Sequence, residues 1–267
     1  MIRGRSIYLI LLGSILLVSG CSEDDGALEV RPDFDAYFTT AEVEGVFVLL
    51  DGKENRYYTN DARRARQQFL PASTFKILNS LVALETEVVE DTSTVFEWDG
   101  VERTIPQWNR DHSLTTAYAN SVVWVYQEIA REIGVQRMAE YVAGAAYGNE
   151  DISGGIDLFW LTGGLRISAV EQVDFLKRLH DGHLDFSDAV VDKVKGMMIE
   201  EATDTSTLYG KSGWADGDPT DLGWFVGFVL SDDNAHYFAI NIDISDPEQG
   251  QHRRGIARSI LTDLGLL

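Results

Sequence analysis

Ser73 and Lys76 stand three residues apart in the segment Pro71-Ala72-Ser73-Thr74-Phe75-Lys76, which reads as the first turn of a helix. Residues i and i+3 share one helix face, so the lysine amine can reach the serine hydroxyl. A serine so placed is a nucleophile beside its base. The run that follows, Ile77-Leu78-Asn79-Ser80-Leu81-Val82-Ala83-Leu84, is apolar on nearly every side and predicts a helix packed inside the protein. That burial bears on the base. A free lysine has a pKa of about 10.4, so a neutral amine at pH 7 costs roughly 4.6 kcal/mol, and apolar surroundings lower the cost by disfavouring the ammonium form. Pro71 suits the opening turn, and the positive end of the helix favours an alkoxide forming at Ser73.

Three further segments carry groups that could join this pair. Ser121 opens a predicted helix that runs to Ile133, either as its N-cap or as a second hydroxyl able to relay a proton. Lys211-Ser212-Gly213-Trp214 offers a cation and a hydroxyl, then a glycine that lets another molecule approach the backbone; it is equally a strand entering a glycine turn. Tyr147-Gly148-Asn149 has the composition of a turn.

The elements that must position these groups follow from periodicity. Residues 45–52 and 56–60 read as one β-hairpin, and residues 224–230 and 237–243, joined by Ser231-Asp232-Asp233-Asn234, read as another. Between them the pattern is mostly helical: a helix to Ile133 ending at Gly134, another from Val135 to Val142 ending at Gly144, and Ser168-x-x-Glu171 as a capping box for a helix to His180. A last helix covers Arg254 to Leu264. Strands at both ends with helices between predict an α/β (α+β) domain over 28–267. Its sheet part falls at about 28–75 and 200–267, with a helical insert at about 76–199. Active sites commonly lie at such a junction.

Arg3 and Arg5, the apolar stretch Ile7 to Val18 and the small residues before Cys21 predict an export signal over 1–20. A cysteine at that place resembles a bacterial lipoprotein signal, with Cys21 lipidated and 21–27 as a tether; an ordinary secretory signal with a chance cysteine is the other reading. Lipidation predicts an exported protein anchored to a membrane, with Ser22 favouring the periplasmic face of the outer membrane if the cell has two membranes. Cys21 is the only cysteine, so no intramolecular disulfide supports the fold. The net charge of −21 excludes nucleic acid as a natural partner, and an anionic substrate would need local positive groups.

In chain order, Ser73-x-x-Lys76, Ser121-x-Val123, Tyr147-Gly148-Asn149, Trp160 and Lys211-Ser212-Gly213 resemble the class D β-lactamases, oxacillinases of the penicillin-recognising serine hydrolases. The strings FLPASTFKILNSL, SVVWVYQEIAREIG, YGNEDISGGIDLFWL and LRISAVEQVDFL extend the resemblance over nearly the whole chain after the leader. Val123, where related classes carry asparagine, is the class D pattern. Ser212 replaces the commoner threonine and keeps the hydroxyl.

The resemblance implies an antiparallel sheet flanked by helices with an inserted all-helical domain, and hydrolysis of the β-lactam amide through an acyl-enzyme on Ser73. It implies that the backbone N–H groups of Ser73 and Trp214 form the oxyanion hole. Lys76 would be N6-carboxylated by carbon dioxide or bicarbonate and act as general base, with the Trp160 indole N–H as donor to the carbamate. Ser121 would pass a proton to the leaving nitrogen, and Val123 and Leu161 would shield the site from water. Lys211, Ser212, Gly213 and an arginine, Arg253 or its neighbour Arg254, would hold the substrate, with Tyr147 contributing to the pocket. No metal and no bound cofactor are implied, and the chain would be a monomer or homodimer. A penicillin-binding sensor or DD-peptidase-like protein that is acylated without turnover is the alternative; a solute-binding lipoprotein would have no use for a buried Ser–Lys pair.

Overall fold

The computed structural model describes residues 28–267 except 218, 232 and 233, so the leader, Cys21 and the tether lie outside the described residues. Nine strands are present among the described residues: β1 Leu28–Val30, β2 Gly45–Asp51, β3 Arg56–Thr59, β4 Val95–Phe96, β5 His112–Ser113, β6 Ile199–Ala202, β7 Ser206–Ala215, β8 Asp221–Ser231 and β9 Asn234–Ile244. The helices are α1 Asp35–Thr40, α2 Ala62–Ala65, α3 Lys76–Glu85, α4 Leu114–Ala119, α5 Val123–Ile133, α6 Val135–Gly144, α7 Ala169–His180, α8 Asp188–Met198 and α9 His252–Asp263.

Seven strands form one sheet in the order β1-β3-β2-β9-β8-β7-β6, antiparallel except for the parallel β1–β3 pair. Both expected hairpins are there, and the strands at the two ends of the chain meet where β2 pairs with β9. Pleating explains how this sheet feeds two cores. Along β8, Trp224, Val226 and Phe228 enter a cluster with the buried residues of α3, α5 and α7, while Phe225 and Val229 enter a second with Phe34, Phe38 and α9. The result is three layers, with α1 and α9 on one face of the sheet and the other helices on the opposite face.

Within the span 76–199, β4 and β5 form a separate two-stranded ribbon. Helix α7 lies on the sheet, packed against β2, β8 and β9. Its start carries the expected capping box: Ser168 Oγ accepts from the Glu171 N–H, and Glu171 accepts from the Ser168 N–H. Ser168→Ala is therefore expected to lower stability by about 1 kcal/mol in urea denaturation, and an unchanged midpoint would show that the cap is dispensable.

Candidate active site

Ser73 does not sit in an α-helix. It occupies a 3-10 turn, Ala72–Phe75, that runs directly into α3 at Lys76. In 3-10 geometry the side chains at i and i+3 eclipse, which aligns serine and lysine more closely than an α-turn would. Lys76 Nζ donates to Ser73 Oγ at 2.9 Å. The lysine is fully buried, whereas the serine keeps a small opening to solvent, 8% of its surface. Burial pushes the Lys76 pKa well below the ordinary lysine value, with a smaller contribution from the Lys211 charge. The Tyr126 ring, whose centroid lies 5.0 Å from Nζ, supplies part of the apolar lining.

The turn is held on several sides. Ala72 has a left-handed φ of 48°, uncommon for a residue with a side chain, and its N–H donates to the Trp160 carbonyl at 3.0 Å. Phe69 and Ile167 exchange two backbone hydrogen bonds just upstream, and Trp224 Nε1 donates to the Leu70 carbonyl at 2.9 Å. Behind the turn Gln172 Nε2 donates to Thr74 Oγ1 at 2.8 Å. Tyr147 is fully buried in this supporting layer, edge-on to Phe75 and Phe175.

Trp160 forms the inner wall, stacked on Phe75 with ring centroids 5.5 Å apart. It is fully buried, and its Nε1 has no hydrogen-bond partner among the described residues. An orphaned indole N–H in such a place is a donor awaiting an acceptor. Leu161 and Val123 are both half-buried.

Ser121 departs from the N-cap reading. The N-cap of α5 is Val122, with no side-chain hydrogen bond, and Ser121 precedes it with a left-handed φ of 53°. That turn aims its hydroxyl at Lys211, whose Nζ donates to Ser121 Oγ at 2.5 Å. Lys211 is itself almost fully buried, and its pKa falls to about 7. Burial is the main cause, then the Arg254 charge, partly offset by Glu200.

Lys211 and Gly213 reach the site because β6 pairs with β7 only up to Tyr209, leaving the next residues of β7 beside the Ser73 turn. Gly213 permits the approach: a Cβ there would lie 3.0 Å from the Pro71 carbonyl oxygen and 3.3 Å from the Thr74 nitrogen. The alternate residues face α9. Ser212 lies opposite Phe225, which carries the Arg254 guanidinium 4.7 Å above its ring. Arg253 stands 5.4 Å over Trp214 and donates to the Gly250 carbonyl. Among the described residues no three His, Cys, Asp or Glu side chains gather as a metal site.

The penicillin binding protein transpeptidase domain profile matches residues 37–262. β-Lactamase OXA-48 of Klebsiella pneumoniae is 46% identical over 85% of this chain and 86% of its own. The crystal structure of the class D β-lactamase FUS-1 (OXA-85) from Fusobacterium nucleatum subsp. polymorphum superposes with a TM-score of 0.87 at 36% identity, covering 90% of this chain and 100% of that one. This chain belongs to the class D β-lactamases. Regulatory protein BlaR1 of Bacillus licheniformis is also similar, 33% identical over 88% of this chain but only 39% of BlaR1.

In this class D β-lactamase the fold brings Ser73, Lys76, Ser121, Trp160 and Lys211 to one place. What the sequence reading missed is the Lys211–Ser121 link and the pairing of Arg254 with Glu200 through both oxygens of the carboxylate. The positive charge of Lys211 was legible, but no local pattern joins residues so far apart in the chain.

Replacing Trp160 by Phe keeps an aromatic ring on Phe75 and deletes the orphaned N–H. A buried unmet donor costs about 1–3 kcal/mol, which offsets the lost ring volume, so without bicarbonate the variant should unfold within about 1 kcal/mol of the wild type. A loss of about 3 kcal/mol or more would mean that the N–H is satisfied in the fold.

Proposed function

We propose that this chain hydrolyses the β-lactam amide of penicillins and related antibiotics through an acyl-enzyme on Ser73. The observation that carries the reading is the contact between Ser73 Oγ and a Lys76 amine whose pKa burial lowers well below the ordinary lysine value. Ser73 Oγ would attack the lactam carbonyl carbon as its proton leaves toward the Lys76 position. The N–H groups of Ser73 and Trp214 would receive the negative charge on the carbonyl oxygen. As the C–N bond breaks, Ser121 would give its proton to the ring nitrogen, with Lys211 beside it to restore that proton. Water would then cleave the ester and free Ser73.

Lys76 also has what a carbamate requires. A neutral amine can take up carbon dioxide, and the orphaned Trp160 Nε1 would donate to the resulting anion. That group supplies an anionic base for both acylation and deacylation. Val123 and Leu161 would limit water at the same spot. The substrate carboxylate would be held by Lys211, the Ser212 hydroxyl and Arg253, with Gly213 keeping the strand close. The resemblance to BlaR1 favours a second reading, in which Ser73 is acylated and the ester persists.

Turnover decides between them. Mature protein should hydrolyse a chromogenic cephalosporin, Ser73→Ala and Lys76→Ala should lose at least about a thousandfold, and a stoichiometric acyl-enzyme without turnover would support the sensor. Removing carbon dioxide at mildly acidic pH should lower the rate, and bicarbonate should restore it. In the same titration KM should rise as pH climbs through about 7, because Lys211 binds a carboxylate only while protonated. A KM flat to pH 9 would contradict that role.

The leader supports a further proposal, that the protein is exported and anchored through lipid on Cys21. Cys21→Ala should move it from the membrane fraction to the soluble one, and an unchanged distribution would sink the anchor.

A further inference from the structure

The α9 face of β7 carries an ion pair that the steps above do not use. Glu200 on β6 reaches along this face: its Cγ lies 3.2 Å from where a Cβ on Gly210 would stand. Arg254 spans the same stretch, with its guanidinium above Phe225 and so beside Ser212. The two side chains meet as a fork, Arg254 Nη1 on Glu200 Oε2 at 2.5 Å and Nη2 on Oε1 at 3.0 Å. Four charges thus cluster around one short length of strand, the cations of Lys211, Arg253 and Arg254 and the carboxylate of Glu200. An arginine whose two terminal nitrogens already grip a carboxylate has no fork left for another.

We propose that Glu200 sets the charge selectivity of this class D β-lactamase by occupying Arg254, so that the substrate carboxylate meets a weaker cationic subsite than the arginines alone would form. The inference depends on the carboxylate-binding role given above to Lys211, Ser212 and Arg253. Glu200 is a specificity-determining residue here and takes no part in bond making. Its carboxylate competes with that of the substrate, and a substrate bearing a second carboxylate is disfavoured more strongly. Both partners are partly exposed, 40% for the arginine and 26% for the glutamate, which limits the effect to that of a screened pair.

Binding can be read separately from turnover. In a Ser73→Ala background, calorimetry at pH 6 and low salt gives Kd for a penicillin with one carboxylate and for one with a second carboxylate on its acyl side chain. At that pH Lys211 is largely protonated, so its titration contributes little. Glu200→Gln should tighten the first by roughly three- to fivefold and the second by more, and 1 M salt should erase most of the difference. Arg254→Gln should weaken binding by leaving Glu200 uncompensated, and the double variant should return close to the starting value. With Ser73 intact, KM should shift in the same sense with kcat within about twofold. Unchanged Kd values in Glu200→Gln, or a double variant no better than Arg254→Gln, overturn the inference whether or not the protein turns over. Absence of turnover in the Ser73 protein would instead sink the hydrolase reading alone.

Discussion

Desolvation of one amine organises this site. Lys76 is driven into the interior by the helix it begins, every residue of which is buried as far as Leu84. The chain has 43 acidic residues, yet none of the described ones forms an ion pair with Lys76. A buried ammonium without a counter-charge is costly, so the pKa of the group falls well below the ordinary lysine value. Its hydrogen bond goes instead to Ser73, and the nucleophile thereby inherits a basic neighbour. The Tyr126 ring beside Nζ and the burial of the whole amine are as much a part of the base as the nitrogen is.

The sheet makes a second condition possible. A short edge strand, β6, stops pairing at Tyr209, and the next residues of β7 meet the nucleophile turn instead of another strand. The pleat then divides labour along β7: Lys211 and Gly213 face the buried serine, while Ser212 and Trp214 face the arginines of α9. One strand therefore addresses two chemically different surfaces with consecutive residues.

Much of this was legible in the residues. The hairpins, the capping box at Ser168 and the apolar helix after Lys76 follow from period and cap chemistry, which are local. The Ser–Lys pair is local too, because three residues of spacing suffice. Less was readable where several distant segments converge. Ser121 reads as an N-cap by its place before a helix, yet a left-handed backbone turns it away from α5 toward Lys211, and only the tertiary partner explains that turn. The motif at Tyr147 reads only as a turn, and the ring contacts with Phe75 and Phe175 that bury its side chain come from distant segments. The fork between Glu200 and Arg254 has no sequence signal, since its partners lie on an edge strand and the last helix.

The hydrogen bond from the Ala72 N–H to the Trp160 carbonyl ties the residue before the nucleophile to the backbone of the tryptophan stacked on Phe75. Serine turn and tryptophan wall are thus one mechanical unit, and neither can drift without carrying the other. Sequence change in the segment that leads to Trp160 can reshape the entrance freely only while it preserves that main-chain position. A displacement there would move the attacking oxygen and the indole donor together, so the two halves of the site would fail at once and not by degrees.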